Sequence, residues 1–195
     1  MQKIISKFFI LLFVLYLSCE NKTIRDKEGL IVYQENQISW VRNFEPLNPV
    51  SIPRWPTRGG IYESLYLNNP ITTDWVPWLA TNYKWENNNK KLLFTIRPNV
   101  QWSDGKPFSA HDVAYTLNLW NQYPALDTRN AWEYLKSVVA VSDTLVQIDF
   151  KRIYVPGFEA IAGAPIIPKH IWKELKDPLD FSNPDPVGTG PFTEI

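Results

Sequence analysis

The stretch from Leu92 to Leu119, LLFTIRPNVQWSDGKPFSAHDVAYTLNL, constrains the fold of this chain more than any other. Leu92, Phe94 and Ile96 alternate with Leu93, Thr95 and Arg97, the period of two expected of a strand with one buried face. Asp104-Gly105 is turn chemistry, because glycine tolerates positive φ and the aspartate side chain can bond the backbone ahead of it. Ser109 then stands where a helix N-cap belongs, with the carboxylate of Asp112 three residues on. Val113, Leu117 and Trp120 fall at i, i+4 and i+7, so the helix that follows buries one stripe. The stretch reads as strand, turn and capped helix.

Three pieces of it, in this order and spacing, resemble a known family. Phe94-Thr95-Ile96-Arg97 is similar to an F-x-[IL]-R strand, Trp102-Ser103-Asp104-Gly105-Lys106-Pro107-Phe108 to a W-x-D-G-x-P turn, and Ser109-Ala110-His111-Asp112-Val113 to an [ST]-A-x-D-V helix start. Together they resemble the extracytoplasmic solute-binding proteins of ABC importers, family 5, the peptide, oligopeptide and nickel class. The resemblance implies an α/β (α+β) fold of the type II periplasmic-binding-protein kind. It implies an incomplete one: a small α/β domain plus pieces of a larger lobe, since members of the family run well over twice the 195 residues seen here.

Composition sets the class around that stretch. With 45% apolar and 21% charged residues the chain belongs with folded globular proteins. A formal net charge of +0 offers no basic face to a nucleic acid. The 9 Trp, 9 Tyr and 10 Phe either fill a core or line a ligand cleft. A single cysteine, Cys19, excludes an intrachain disulfide. Lys3 and Lys7 precede an unbroken apolar run from Phe8 to Leu17, which reads as a secretory signal peptide too short to span a membrane. Ser18-Cys19 resembles the end of a bacterial lipobox, which would make Cys19 a site of lipidation anchoring the protein to a membrane; Tyr16 and Leu17 depart from that pattern. Ordinary cleavage that leaves a stray thiol is the alternative.

In chain order, residues 1–19 are the signal segment and 20–28 a polar tether. Residues 29–57 resemble the start of the large lobe. They hold a short strand, Leu30 to Tyr33, and a Pro-fixed loop, Glu45-Pro46-Leu47-Asn48-Pro49, similar to the family's cleft-edge loop. Residues 58–180 are expected to form the small domain. Within it, Ile61, Tyr62, Leu65 and Tyr66 have helical spacing. Asn82–Glu86 and Lys91–Arg97 form a hairpin across Asn87-Asn88-Asn89-Lys90. Asn130–Val139 reads as a short helix or irregular wall, and Thr144–Phe150 as a strand with Val146, Ile148 and Phe150 on one face. Pro165 to Ile171 resembles an I-[IV]-P-K-H helix start, with Pro168 in the first turn. Residues 181–195 carry Val187-Gly188-Thr189-Gly190-Pro191-Phe192, similar to the V-G-T-G-P-[YF] element at which the family's chain returns to the large lobe.

No catalytic or cofactor constellation emerges. His111 and His170 each sit in the first turn of a helix and neither has zinc-site spacing. Gly188-Thr189-Gly190 runs into Pro191 instead of a helix N-terminus, so it is no phosphate loop. Asp104 and Asp112 are explained as turn former and helix-start charge. The expectation is therefore a binding protein, neither an enzyme nor a cofactor carrier. By resemblance it holds a peptide or other small solute between two lobes and presents it to an ABC permease in the membrane. The candidate ligand-binding residues are Asn43, Asn48, Trp132 and Thr189. The alternative is a surface lipoprotein module that binds glycans through Trp55, Trp75, Trp78 and Trp85 aligned on one solvent face.

Overall fold

A computed structural model describes residues 41–192 of the chain. The signal segment, Cys19, the tether and the first strand lie outside the described residues, as do 193–195.

The hairpin forms as its sequence dictates. Strands β3 (Ala80–Glu86) and β4 (Lys91–Ile96) pair antiparallel, with Tyr83 opposite Phe94 and Trp85 opposite Leu92. Asn87, Asn88 and Asn89 turn the chain at φ 50°, 50° and 59°, the left-handed region that asparagine tolerates better than most residues. Strand β5 (Leu135–Ser142) and strand β6 (Leu145–Phe150) complete a four-stranded antiparallel sheet in the order β3-β4-β6-β5. Leu92, Phe94 and Ile96 of β4 share the core with Val146, Ile148 and Phe150 of β6, each at most 4% exposed. Burying each such side chain contributes about 1.5–3 kcal/mol. The intervening residues remain at least partly open to solvent, as suits an antiparallel sheet covered on one face.

Helix α1 (Ala110–Gln122) packs against β5 and β6 with Val113 and Leu117 fully buried. Its start is a complete capping box: the Ser109 hydroxyl accepts from the backbone N–H of His111, and Asp112 Oδ2 accepts from the Ser109 N–H at 2.9 Å. Helix α2 (Gly157–Ala162) brings Phe158 onto Tyr83 and Phe94, with ring centroids at 4.5 and 5.9 Å. Helix α3 (Lys169–Trp172) begins immediately after Pro168.

Two sequence readings are corrected. Ile61 to Leu67 is not a helix. Thr57–Ile61 is a wide turn interrupted at Arg58 and Gly59, and Tyr66–Asn68 is strand β1, paired with β2 (Trp75–Pro77). The helical spacing was accidental because Ile61, Tyr62, Glu63, Leu65 and Tyr66 are all buried, which leaves no polar face. The backbone carbonyls of this segment bond other segments: Glu63 O accepts from Ile166, and Leu65 O from Trp78 and Ala80. Residues 130–139 begin as the expected short helix, a 3₁₀ turn over Ala131–Glu133, but continue as β5. Register shifts at both ends of β5 break its alternation, so the period of two does not show in the sequence.

The return segment threads between two others. Gly190 N–H donates to Ile61 O at 3.0 Å and Phe192 N–H to Gly60 O at 3.1 Å. On the other side, Ser103 N–H donates to Gly188 O at 2.9 Å and Gly188 N–H to Ser103 Oγ at 3.3 Å. A Cβ on Gly188 would lie 2.1 Å from Ile61 O, and one on Gly190 2.1 Å from Gly60 O. Backbones this close admit only glycine.

Candidate functional site

The Pro-fixed loop is held rigid from within. Glu45 is 1% exposed, and its carboxylate accepts from the N–H groups of Leu47 at 2.7 Å and Asn48 at 2.5 Å. Burial pushes its pKa up, against the lowering effect of those two bonds and of the Arg58 charge. Asn43 serves the same loop: its Oδ1 accepts from Glu45 N–H, and its Nδ2 donates to Ser51 Oγ at 2.8 Å. Asn48 accepts from Val50 N–H and donates to Leu179 O at 3.0 Å. The loop is also tied to the return, since Phe44 N–H donates to Ser182 O and Asn183 Nδ2 to Phe44 O.

Braced in this way, Pro46 and Leu47 form one edge of a concavity of about 280 Å³. Its other walls come from Arg58, from Trp120 at the end of α1, from Leu126 to Arg129, from Ala160, and from Gly163 to Pro165. Arg58 Nε donates to Pro46 O at 2.8 Å, and Arg129 Nη1 to Glu159 O at 3.0 Å, so both guanidiniums are held by backbone at the rim. Asp127 is 8% exposed and turns its oxygens to the N–H groups of Ala131 and Trp132, each at 2.8 Å. It thereby caps the 3₁₀ turn.

The sequence-predicted residues are dispersed around this space. Asn43 and Asn48 brace the loop, whereas Pro46 and Leu47 between them line the concavity. Trp132 borders an adjoining hollow of about 220 Å³, shared with Trp120, Asp127 and Asn130, and donates its indole N–H to Leu117 O at 2.6 Å. Thr189 sits in the return with its hydroxyl buried and, among the described residues, without a hydrogen-bond partner. Sequence reasoning passed over Arg58 and Arg129, which stand in no recognisable motif, and placed Trp120 only on the buried stripe of its helix. Of the tryptophans weighed for glycan binding, Trp75 and Trp85 are half-buried against Phe158 and Phe150, Trp78 bonds Glu63 Oε1 at 2.7 Å, and Trp55 meets Phe192 edge-on.

The histidines have local partners. His170 Nε2 is 2.8 Å from Asp104 Oδ2, and His111 Nε2 is 3.4 Å from Asp143 Oδ1. Among the described residues no group of three His, Cys, Asp or Glu is placed to hold a metal, and no helix is long and apolar enough to cross a membrane.

The profile described as "Bacterial extracellular solute-binding proteins, family 5 Middle" matches residues 74–193. The chain belongs to that family. Similar family 5 proteins include a probable ABC transporter-binding protein of Deinococcus radiodurans, 29% identical over 78% of this chain and 29% of its own length. The nickel-binding periplasmic protein of Escherichia coli is 30% identical over 79% of this chain and 30% of its own length. The crystal structure of a mannohexaose-bound periplasmic oligopeptide-binding protein from Thermotoga maritima superposes with a TM-score of 0.70 at 30% identity, covering 77% of this chain and 28% of that one. The fold is thus a part of the type II periplasmic-binding-protein architecture, as expected from the sequence. The chain spans less than a third of the length of these family 5 relatives.

Proposed function

We propose that this chain forms one wall of the ligand cleft in a lipid-anchored substrate-binding component of an ABC importer, one that takes oligopeptides or a similar small solute outside the cytoplasmic membrane. The observation that carries this reading is the concavity beside the Pro46-Leu47 edge, which is bordered by a loop stiffened by Glu45 and by two backbone-held guanidiniums. Ligand sites are likewise concave and carry a few polar groups fixed in direction. Residues 58–180 serve as the small domain, with 29–57 and 181–195 as the beginnings of the larger lobe that closes over it. Within this reading Asn43 and Asn48 hold the cleft edge in shape, and Trp132 and Thr189 lie on the ligand side.

The solute is tested by melting the protein, as extracted from the cell envelope, with short peptides, with nickel(II) plus histidine, and with mannohexaose. Ligand at about a hundred times its Kd adds about 2.7 kcal/mol to stability, which a melting curve resolves. A rise with peptides alone supports the peptide assignment; a rise with mannohexaose alone moves the protein to the glycan reading. That second reading is favoured by the sugar carried by the Thermotoga relative and by Trp55 and Trp78, which are 47% and 42% exposed. Lipid attachment is tested separately. Cells fed a labelled fatty acid should label the protein, and Cys19→Ala should abolish the signal.

A further inference from the structure

We propose that the end of the sheet where β6 runs into α2 is a docking surface for an anionic lipid bilayer, on which Ile153 and Val155 enter the acyl boundary and the surrounding cations meet headgroup phosphates. The loop 151–156 lies outside the concavity lined by Pro46 and Trp120. It holds Ile153 and Val155 out at 55% and 58% exposure, with Tyr154 half-buried between them. Tyr154 is pinned: its ring stacks on Tyr134 at 3.7 Å with 7° between the planes, and a Cβ on Gly157 would lie only 3.0 Å from its Cδ1. Arg152 lies over the other ring of that stack, 4.7 Å from the Tyr134 centroid. The two aliphatic tips are therefore held in water by a braced loop, and exposed apolar groups held together in this way mark a contact surface.

Positive charge collects around the tips. The bond from Phe150 N–H to Lys90 O, at 2.8 Å, brings the hairpin tip beside the loop, and Lys136 follows directly on the Leu135–Phe150 pair. The carboxylates of this end are already engaged. Glu86 pairs with Lys84 at 2.8 Å and Glu133 with Arg152 at 3.7 Å, while Asp149 stands opposite Lys91 and accepts from Ser137 Oγ and Gln147 Nε2. Glu159, in the first turn of α2, has Arg129 bonded to its own carbonyl. Lys151 donates to Trp132 O and Glu133 O, which fixes its ammonium without neutralising it. Lys90, Lys136 and Lys151 are thus left without a carboxylate among the described residues. A soluble anion would use these cations and leave Ile153 and Val155 wet, and an apolar partner would have to desolvate the lysines. A bilayer interface satisfies both, taking apolar side chains below the headgroups and cations among them.

Cys19 is the single cysteine, so the full chain carrying Cys19→Ala and Ile153→Cys offers one thiol for an environment-sensitive dye. The probes are protein-free vesicles of phosphatidylcholine alone and of phosphatidylcholine with an equal part of phosphatidylglycerol. The expected result is a saturable blue shift with the mixed vesicles, a response at least tenfold weaker to phosphatidylcholine, and release at high salt. Lys90→Gln and Lys136→Gln, both at exposed positions, should each weaken binding about fivefold. Val155→Ser should weaken it too, without moving the melting temperature. The same dye on Thr144→Cys, in the β5–β6 turn at the opposite end of the sheet, should stay silent. Equal responses to the two vesicles, or a Thr144→Cys signal as strong as that of Ile153→Cys, would overturn the surface. No shift with the mixed vesicles would overturn it as well and leave the ligand cleft, which melting with solutes tests by itself, standing.

Discussion

Asp112 Oδ1 accepts the backbone N–H of Lys169 at 3.0 Å across 57 residues, while its other oxygen closes the capping box on Ser109. One buried carboxylate, 4% exposed, thus starts helix α1 and docks the start of α3 onto it. Thr116, one turn on, continues the seam by accepting from Ile167 N–H at 3.2 Å. Replacing Asp112 with Ala leaves two backbone donors without their acceptor. The expected cost is about 2–4 kcal/mol in urea denaturation, combining a lost cap with a buried unsatisfied group. Asp112→Asn, which keeps one acceptor oxygen, should cost less.

Gly188→Ala should destabilise the protein by about 1–3 kcal/mol or more, since the new methyl would meet Ile61 O at 2.1 Å and neither backbone can yield freely. Ala at Gly105, where a Cβ meets nothing within 4 Å but φ is 82°, should cost only the strain of that backbone, about 1 kcal/mol. Equal midpoints for the two variants would contradict the threading described above.

Asn183 is 2% exposed and donates from Nδ2 to Phe44 O at 3.0 Å and to the Tyr62 hydroxyl at 2.6 Å. Asn183→Ala should lower stability by about 1–3 kcal/mol through the acceptors left unpaired. The Tyr62 phenol, raised chiefly by burial, should stay neutral in an ultraviolet titration until the alkaline unfolding transition. Ionisation of every tyrosine before unfolding would argue against this packing.

Asp104 carries the pH dependence that is simplest to isolate. Partial burial raises its pKa, but the Lys106 N–H, the His170 ring and the charges beside it together outweigh that and hold it below the usual value of 3.8. A carboxyl depressed on folding adds stability above its unfolded pKa, and that stability is lost as pH falls through the folded value. Wild type should therefore out-melt Asp104→Asn at about pH 5, with the gap closing below about pH 3. A gap that widens on acidification would reverse the assignment.

Much of this could be read in advance, and for a local reason. The β4 and β6 alternation, the Ser109–Asp112 cap and the asparagine-rich hairpin tip are each determined by residues within a few positions of one another. Segment 61–67 was misread because partners elsewhere in the chain decide it, Ile166, Trp78 and Ala80, and strand β5 because its pairing with the neighbouring β6 is bulged at both ends. The site was less legible still. The loop was found through its prolines, but Arg58, Trp120 and Arg129 share a wall only after the chain has folded, and no spacing between them announces it. Asn43 and Asn48 drew notice as polar cleft residues, and their side chains bond the loop and Leu179.

The bond from Phe44 N–H to Ser182 O, at 2.9 Å, gives the chain a doorway. Everything between those two residues leaves and comes back through the same gap, and Asn183 latches it by gripping Phe44 from the returning side. An excursion whose two ends meet keeps its entry and exit fixed together, so a change of loop length within it need not move either end.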